Sequence, residues 1–177
     1  MPGFVNRLLE RFRRRTPALL VVEAALWDEL LTELAIRGKG VRESGAFLLG
    51  VAPVNGAPRR VADVVYYDDL DPASLTGNIS FGGFAYGRLW DECEARGLAV
   101  VADVHTHPGP WVAQSSTDRE HPMLAQSGHI ALIVPDFAQR HVGAHEVGVH
   151  EYLGETQWQS ALDTEAAARL KIERRAR

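Results

Sequence analysis

Leu98 to Val104 reads LAVVADV and runs straight into His105 and His107. A nearly continuous apolar run of this length suits a central strand covered on both faces. Residues two apart on a strand point to the same side. His105 and His107, at the C-terminal end of that strand, can therefore present two imidazoles side by side. Pro108, Gly109 and Pro110 follow and can turn the backbone back toward the strand end. Ser115 and Asp118 come next. Zinc favours imidazole and carboxylate ligands, and a catalytic zinc site keeps one position open beside three protein ligands. His105, His107 and Asp118 form a candidate ligand set on these grounds.

The remaining pattern supplies elements to pack around that strand. Leu19–Val22 is a short β-type run, and Glu23–Arg37 has helical spacing, with Trp27, Leu31 and Leu34 on one side and Gly38 and Gly40 at its end. Gly45–Gly50 (GAFLLG) and Arg59–Tyr67 read as a hairpin about an Asn55-Gly56 turn. Residues 68–80 are acidic and turn-rich, a loop. Phe84–Arg96 is helical again, with Gly97 placed as its C-cap and Cys93 on its apolar side. A short helix is expected near Asp118, strands at His129–Val134, Val147–Leu153 and Thr156–Gln159, and a terminal helix over Ala161–Ile172. The order predicts a mixed α/β domain, one sheet with helices packed on it.

With 177 residues, 46% hydrophobic and 24% charged, the chain suits one domain with a substantial core. The expected organisation is a basic segment, 1–16, followed by a single domain over 17–177. Phe4, Val5, Leu8, Leu9 and Phe12 alternate with arginines in that segment. It is read as a leader helix packed on the domain, because one short helix without a second signal anchors weakly to a membrane. The net charge of −4 gives no support to nucleic-acid binding. The single cysteine, Cys93, leaves no internal disulfide and no multi-cysteine zinc site, and a reducing cytoplasm is its natural setting. It also excludes a zinc deaminase, whose C-x-x-C ligand pair needs two cysteines. No apolar run approaches the length of a membrane span.

An H-x-H pair alone is weak evidence. The wider pattern is specific: His105-Thr106-His107-Pro108, then Ser115-x-x-Asp118, with Glu43 standing before the apolar run Gly45–Gly50. In this pattern and in its order of elements, over about residues 20–160, the chain resembles the JAMM/MPN+ metalloprotease family. The resemblance implies an MPN/JAB domain with a mixed, curved sheet flanked by helices. It implies one catalytic Zn²⁺ held by His105, His107 and Asp118. Glu43 would exchange protons with the attacking water and the leaving amine, and Ser115 would hydrogen-bond the developing oxyanion. A short chain without an appended domain looks like the bacterial and archaeal JAB branch. The implied activity is cleavage after the C-terminal glycine of a ubiquitin-like protein, in deconjugation or modifier processing. E1-like and E2-like enzymes encoded nearby would be partners. Two alternatives stay open: release of an amino acid such as cysteine from a small sulfur-carrier protein, and a non-catalytic MPN interaction module.

Several other residues bear on the site. Asp103 shares strand parity with His105 and is a candidate hydrogen-bond acceptor for a ligand histidine, against the plainer reading of a polar residue near a strand end. His121 lies three residues after Asp118 and is expected at the surface. Trp111 either packs the loop or faces the substrate. Ser115 has a second reading as a helix N-cap. His129, His141, His145 and His150 stand in no motif and are expected to be structural or exposed. The acidic loop 68–80 is a conjectured border of the substrate groove.

Overall fold

The computed structural model describes residues 17–51, 56–75, 79 and 81–174. The basic segment 1–16 lies outside these residues. The elements are β1 (Leu20–Glu23), α1 (Ala24–Gly38), β2 (Gly45–Val51), β3 (Arg59–Tyr66), α2 (Tyr67–Leu70), α3 (Gly83–Arg96), β4 (Ala99–Thr106), α4 (Ser116–Glu120), β5 (Ile130–Val134), β6 (Gly148–Gly154), β7 (Gln157–Ala161), α5 (Asp163–Arg169) and β8 (Leu170–Glu173). The strands form one mixed sheet in the order β7-β6-β5-β4-β2-β3-β1-β8. The expected mixed α/β class is what the chain adopts.

β2 and β4 run antiparallel at the centre, with Gly45 opposite His105 and Phe47 opposite Asp103. Both are buried on their two faces. On β2, Ala46 and Leu48 point into a core with Trp27, Leu30, Leu31 and Leu34 of α1. Phe47 and Leu49 point the other way, toward Leu89 and Cys93 of α3. The period of two thus builds two apolar layers from one strand. The register shifts between Leu48 and Leu49 against β4 and between Leu49 and Gly50 against β3, an irregularity in the middle of β2. The indole N–H of Trp27 donates to the Val142 carbonyl at 2.8 Å, which satisfies the one polar atom of a fully buried ring. Cys93 is a buried core thiol, as its position on α3 predicts.

Two helix ends differ in how they stop. Gly97 ends α3 in the left-handed region, its N–H reaching the carbonyls of Cys93 and Glu94. At α1 the left-handed residue is Lys39, not a glycine, and Gly40 follows it with φ 65°.

The expected helix over Ala161–Ile172 is corrected. Ala161 ends β7, α5 spans only Asp163–Arg169, and Leu170–Glu173 is β8, paired in parallel with β1. Leu170 and Ile172 both face the α1-side core, a spacing of two that a strand satisfies and a helix does not. Pairing also satisfies the backbone of β1, which would otherwise be a sheet edge. Among the described residues, no helix is long and apolar enough to cross a membrane.

Candidate metal centre

The β2–β4 register brings the motif's separate pieces together. Thr106 N–H donates to the Ser44 carbonyl at 2.9 Å, and Ser44 N–H donates to the buried Thr106 hydroxyl at 3.0 Å. The Ser44 hydroxyl donates in turn to the Leu34 carbonyl of α1. Continuing this antiparallel register one step places Glu43 across from His107. Gly45 is needed for a close approach: a Cβ there would lie 2.3 Å from the Tyr67 ring and 2.6 Å from the Val104 carbonyl oxygen.

His105 and His107 present their Nε2 atoms 3.1 Å apart. Asp118 reaches both, with Oδ1 3.5 Å from His105 Nε2 and Oδ2 3.4 Å from His107 Nε2. These three residues form a cluster able to hold a metal ion. A tetrahedral ion with bonds of about 2.0–2.1 Å separates its donor atoms by about 3.3–3.4 Å. The two Nε2 atoms are close to that spacing, Asp118 offers each histidine a different carboxylate oxygen at a similar distance, and one donor atom from each residue lies within 4.8 Å of the others, so the three residues could hold such an ion. The tautomer fits as well. His107 Nδ1 lies 2.9 Å from the Trp111 carbonyl. A carbonyl can only accept, so Nδ1 carries the proton and the Nε2 lone pair faces the centre.

Electrostatics favour the ligating forms of Asp118 and His105. Burial opposes the charge on Asp118, but hydrogen bonding to His107, the His105 charge and the Ser115 N–H outweigh it and hold the carboxyl well below its ordinary range. Burial pushes His105 down, against the pull of Asp118 and Asp103. On His107 burial is overcome by Asp118 and the Trp111 carbonyl, so its pKa is raised. The Glu43 charge acts on both histidines.

Asp118 and Ser115 hold each other. Ser115 N–H donates to Asp118 Oδ2 at 2.7 Å, and Asp118 N–H donates to Ser115 Oγ at 3.2 Å. This is a capping box on α4, with Ser115 as N-cap and Asp118 as its third residue. The N-cap reading of Ser115 is therefore observed, and it does not exhaust the hydroxyl. Accepting one bond leaves its proton free to donate into the cleft that it lines.

That cleft has a volume of about 610 Å³ and is lined by Glu43, both histidines and Asp118. Ile79, Trp111, Pro122, Met123 and Trp158 give it an apolar wall. Trp111 is 70% exposed, so its side chain borders the cleft instead of packing the loop, while its carbonyl holds His107. The Tyr86 hydroxyl anchors the wall through the Met123 carbonyl at 2.6 Å. His121 is exposed at the rim.

Two expectations need correction. Asp103 has no hydrogen bond to His105. It is buried, accepts one from Tyr67 Oη at 3.3 Å, and pairs with His129 Nε2 at 2.5 Å. Strand parity showed its face but not these partners, which arrive from the start of α2 and from the residue before β5. The acidic loop does not turn its first charges to the cleft: Asp68 and Asp69 bind Arg37 at 2.7 and 2.8 Å, and among the described residues of that stretch Ile79 lines it. The histidines outside the motif are structural or exposed, as expected: His141 and His145 are exposed, and His150 is fully buried beside the loop 107–115. His150, Tyr67 and Trp158 carry no motif, and the sequence does not single them out.

No family model matches the chain. Two solved structures resemble it. One is the solution structure of DSY2949 from Desulfitobacterium hafniense, with a TM-score of 0.61 and 16% identity over 88% of this chain and 94% of that one. The other is the solution structure of a protein from Salinibacter ruber, with a TM-score of 0.53 and 18% identity over 79% of this chain and 87% of that one. At these identities the likeness is one of fold.

Proposed function

We propose that the chain is a zinc-dependent amide hydrolase of the JAMM/MPN+ type, acting on a ubiquitin-like protein or its conjugates. The observation that carries this proposal is the triangle of donor atoms from His105, His107 and Asp118, with Glu43 and Ser115 in the same cleft. Two imidazoles and a carboxylate suit zinc better than the oxygen-seeking cations calcium and magnesium. A zinc ion there would act as a Lewis acid on the amide carbonyl and lower the pKa of water toward about 7.

The chain's own groups would do the rest. Glu43 takes a proton from the attacking water and returns it to the leaving amine, since one carboxylate can serve as base and then acid. The Ser115 hydroxyl, which accepts from the Asp118 N–H and keeps its own proton, donates that proton to the developing oxyanion. Asp118 stays ionised throughout because its partners hold its pKa so low. The apolar residues Trp111 and Trp158 line the same cleft and offer a surface for the substrate beside these groups.

Fusions of ubiquitin-like proteins carrying a cleavable C-terminal extension test the proposal. Cleavage directly after the terminal glycine by the wild type, and none by Glu43→Gln, is the expected result. Equal cleavage by both, or by neither, contradicts it.

A further inference from the structure

The half of the metal centre that carries Ser115 and Asp118 hangs on a loop, 107–115, and the hydrogen bonds along that loop are unevenly spread. Its start is tied by backbone: His107 N–H to the Val134 carbonyl at 2.9 Å, Phe137 N–H to the His107 carbonyl at 2.8 Å, and Asp136 N–H to the Gly109 carbonyl at 3.0 Å. Beyond Gly109 the anchors come from side chains. His107 holds the Trp111 carbonyl, and His150 Nε2 lies 3.0 Å from the next one, that of Val112. Three residues later comes Ser115, the cap that positions Asp118.

His150 is built for that contact. It lies on β6, fully buried, opposite Ser160 of β7 in the sheet register. Its Nδ1 is 2.8 Å from Ser160 Oγ. The Val112 carbonyl can only accept, so Nε2 carries the ring proton, and Nδ1 accepts from the Ser160 hydroxyl. Both ring nitrogens are satisfied by a single neutral tautomer. Gly148, two residues before His150, lets the loop come this close. A Cβ at Gly148 would sit 2.0 Å from the Val112 oxygen and 2.6 Å from His150 Nε2. The loop is thus seated on β6 at one point, and His150 fills it.

We infer that His150 is a positioning residue for the metal centre: through the Val112 carbonyl it fixes the loop that delivers Asp118 and Ser115 to His105 and His107. This inference rests on the metal-centre reading and adds a residue that touches neither metal nor substrate. The Ser160–His150–Val112 chain gives the sheet's β6–β7 edge a say in ligand geometry. Removing the Nε2 donor strands a buried carbonyl and frees the loop between Gly109 and Ser115.

Cobalt(II) titration of the full chain tests it, read by the visible absorption of the ion, which reports affinity and ligand geometry together. His150→Leu removes the donor and keeps an apolar filler. The expected result is Co(II) affinity weakened by roughly tenfold or more, the size of effect seen when groups that orient metal ligands are removed, with an altered spectrum. His150→Gln can still donate to Val112 and should retain most of the wild-type affinity and spectrum. Ser160 is exposed, so Ser160→Ala keeps the test open should His150→Leu not fold, and a smaller loss is expected from it. Wild-type affinity and spectrum in folded His150→Leu overturn the inference, as does an equal loss in His150→Leu and His150→Gln. If His150→Leu does not fold, an unchanged Ser160→Ala overturns it. A wild type that binds no Co(II) would instead overturn the metal-centre reading beneath it.

Discussion

His105 sits on the end of a central strand, with Glu43 and His107 within two residues of the paired strand ends, whereas Ser115 and Asp118 sit at the start of a five-residue helix reached through a loop. The first half is held by a ladder: the β2–β4 register, the Ser44–Thr106 bonds and two apolar layers all fix it. The second half has no such support. A helix of one turn does not stabilise itself. α4 is kept by its capping box, by Trp158 Nε1 donating to the Arg119 carbonyl at 3.1 Å, and by the histidine contacts to Trp111 and Val112. The difference teaches that a rigid pair of candidate ligands can be completed by a third on a much softer element, provided side chains anchor that element at a few points. Changes in the strand half should therefore act on stability and chemistry, and changes in the loop half on metal geometry first.

The largest effect is expected from Asp118→Ala, which removes a ligand and breaks the capping box in one step. Metal content and activity should vanish together while the thermal transition persists, because the strands do not depend on α4. Glu43→Gln should retain metal and lose activity by roughly 10²–10⁴-fold, the usual share of a general base; metal analysis beside turnover rates checks this. Ser115→Ala should lower the rate by up to roughly 10²–10³-fold with metal still bound. It also deletes the N-cap, at a cost of about 1 kcal/mol that a urea titration can read.

Two glycines sharpen the contrast between the halves. Gly45→Ala forces a Cβ against the Tyr67 ring and the Val104 backbone within the ladder. Gly148→Ala forces one against Val112 of the loop. Overpacking costs about 1–3 kcal/mol in a well-packed site. Gly45→Ala should show that loss in global unfolding, while Gly148→Ala should relieve it by shifting the loop and show it as weaker metal binding. Equal unfolding losses in both would mean that the loop is as rigid as the ladder.

The smallest expected effect is a pH dependence in the metal-free protein. Burial, with repulsion from His105 and His107 helping and the Val112 carbonyl opposing, lowers the pKa of His150. The unfolded side chain titrates near about 6.5. Between the lowered folded value and that pH the unfolded chain binds more protons, so stability falls as pH drops below about 6.5 and this contribution is constant above it. His105 follows the same sign, so the difference between wild type and His150→Gln isolates the buried histidine. Urea unfolding at acidic and neutral pH should show the wild type losing more than the variant.

Much of this was legible in the sequence for a physical reason. Apolar runs mark β2, β4 and β5 because both faces of those strands are covered, and the H-x-H spacing needs only strand parity to converge. The position of Glu43 follows from its place just before β2. What was not legible depends on tertiary pairing. Ala166 to Ile172 has helix-forming alanines, and only the presence of β1 turns Leu170–Glu173 into a strand. Asp103 could be assigned a face but not the Tyr67 and His129 that meet it. His150 acts on a backbone carbonyl, which leaves no residue-type signature at Val112 to pair it with.

Zinc stoichiometry of the purified full chain, measured before and after chelation and after zinc is restored, tests the central claim most directly. The account predicts one tightly held equivalent that chelation removes, zinc restores, and the combined loss of His105 and His107 abolishes. A protein that holds no stoichiometric zinc, or holds it undiminished without those two histidines, would contradict it.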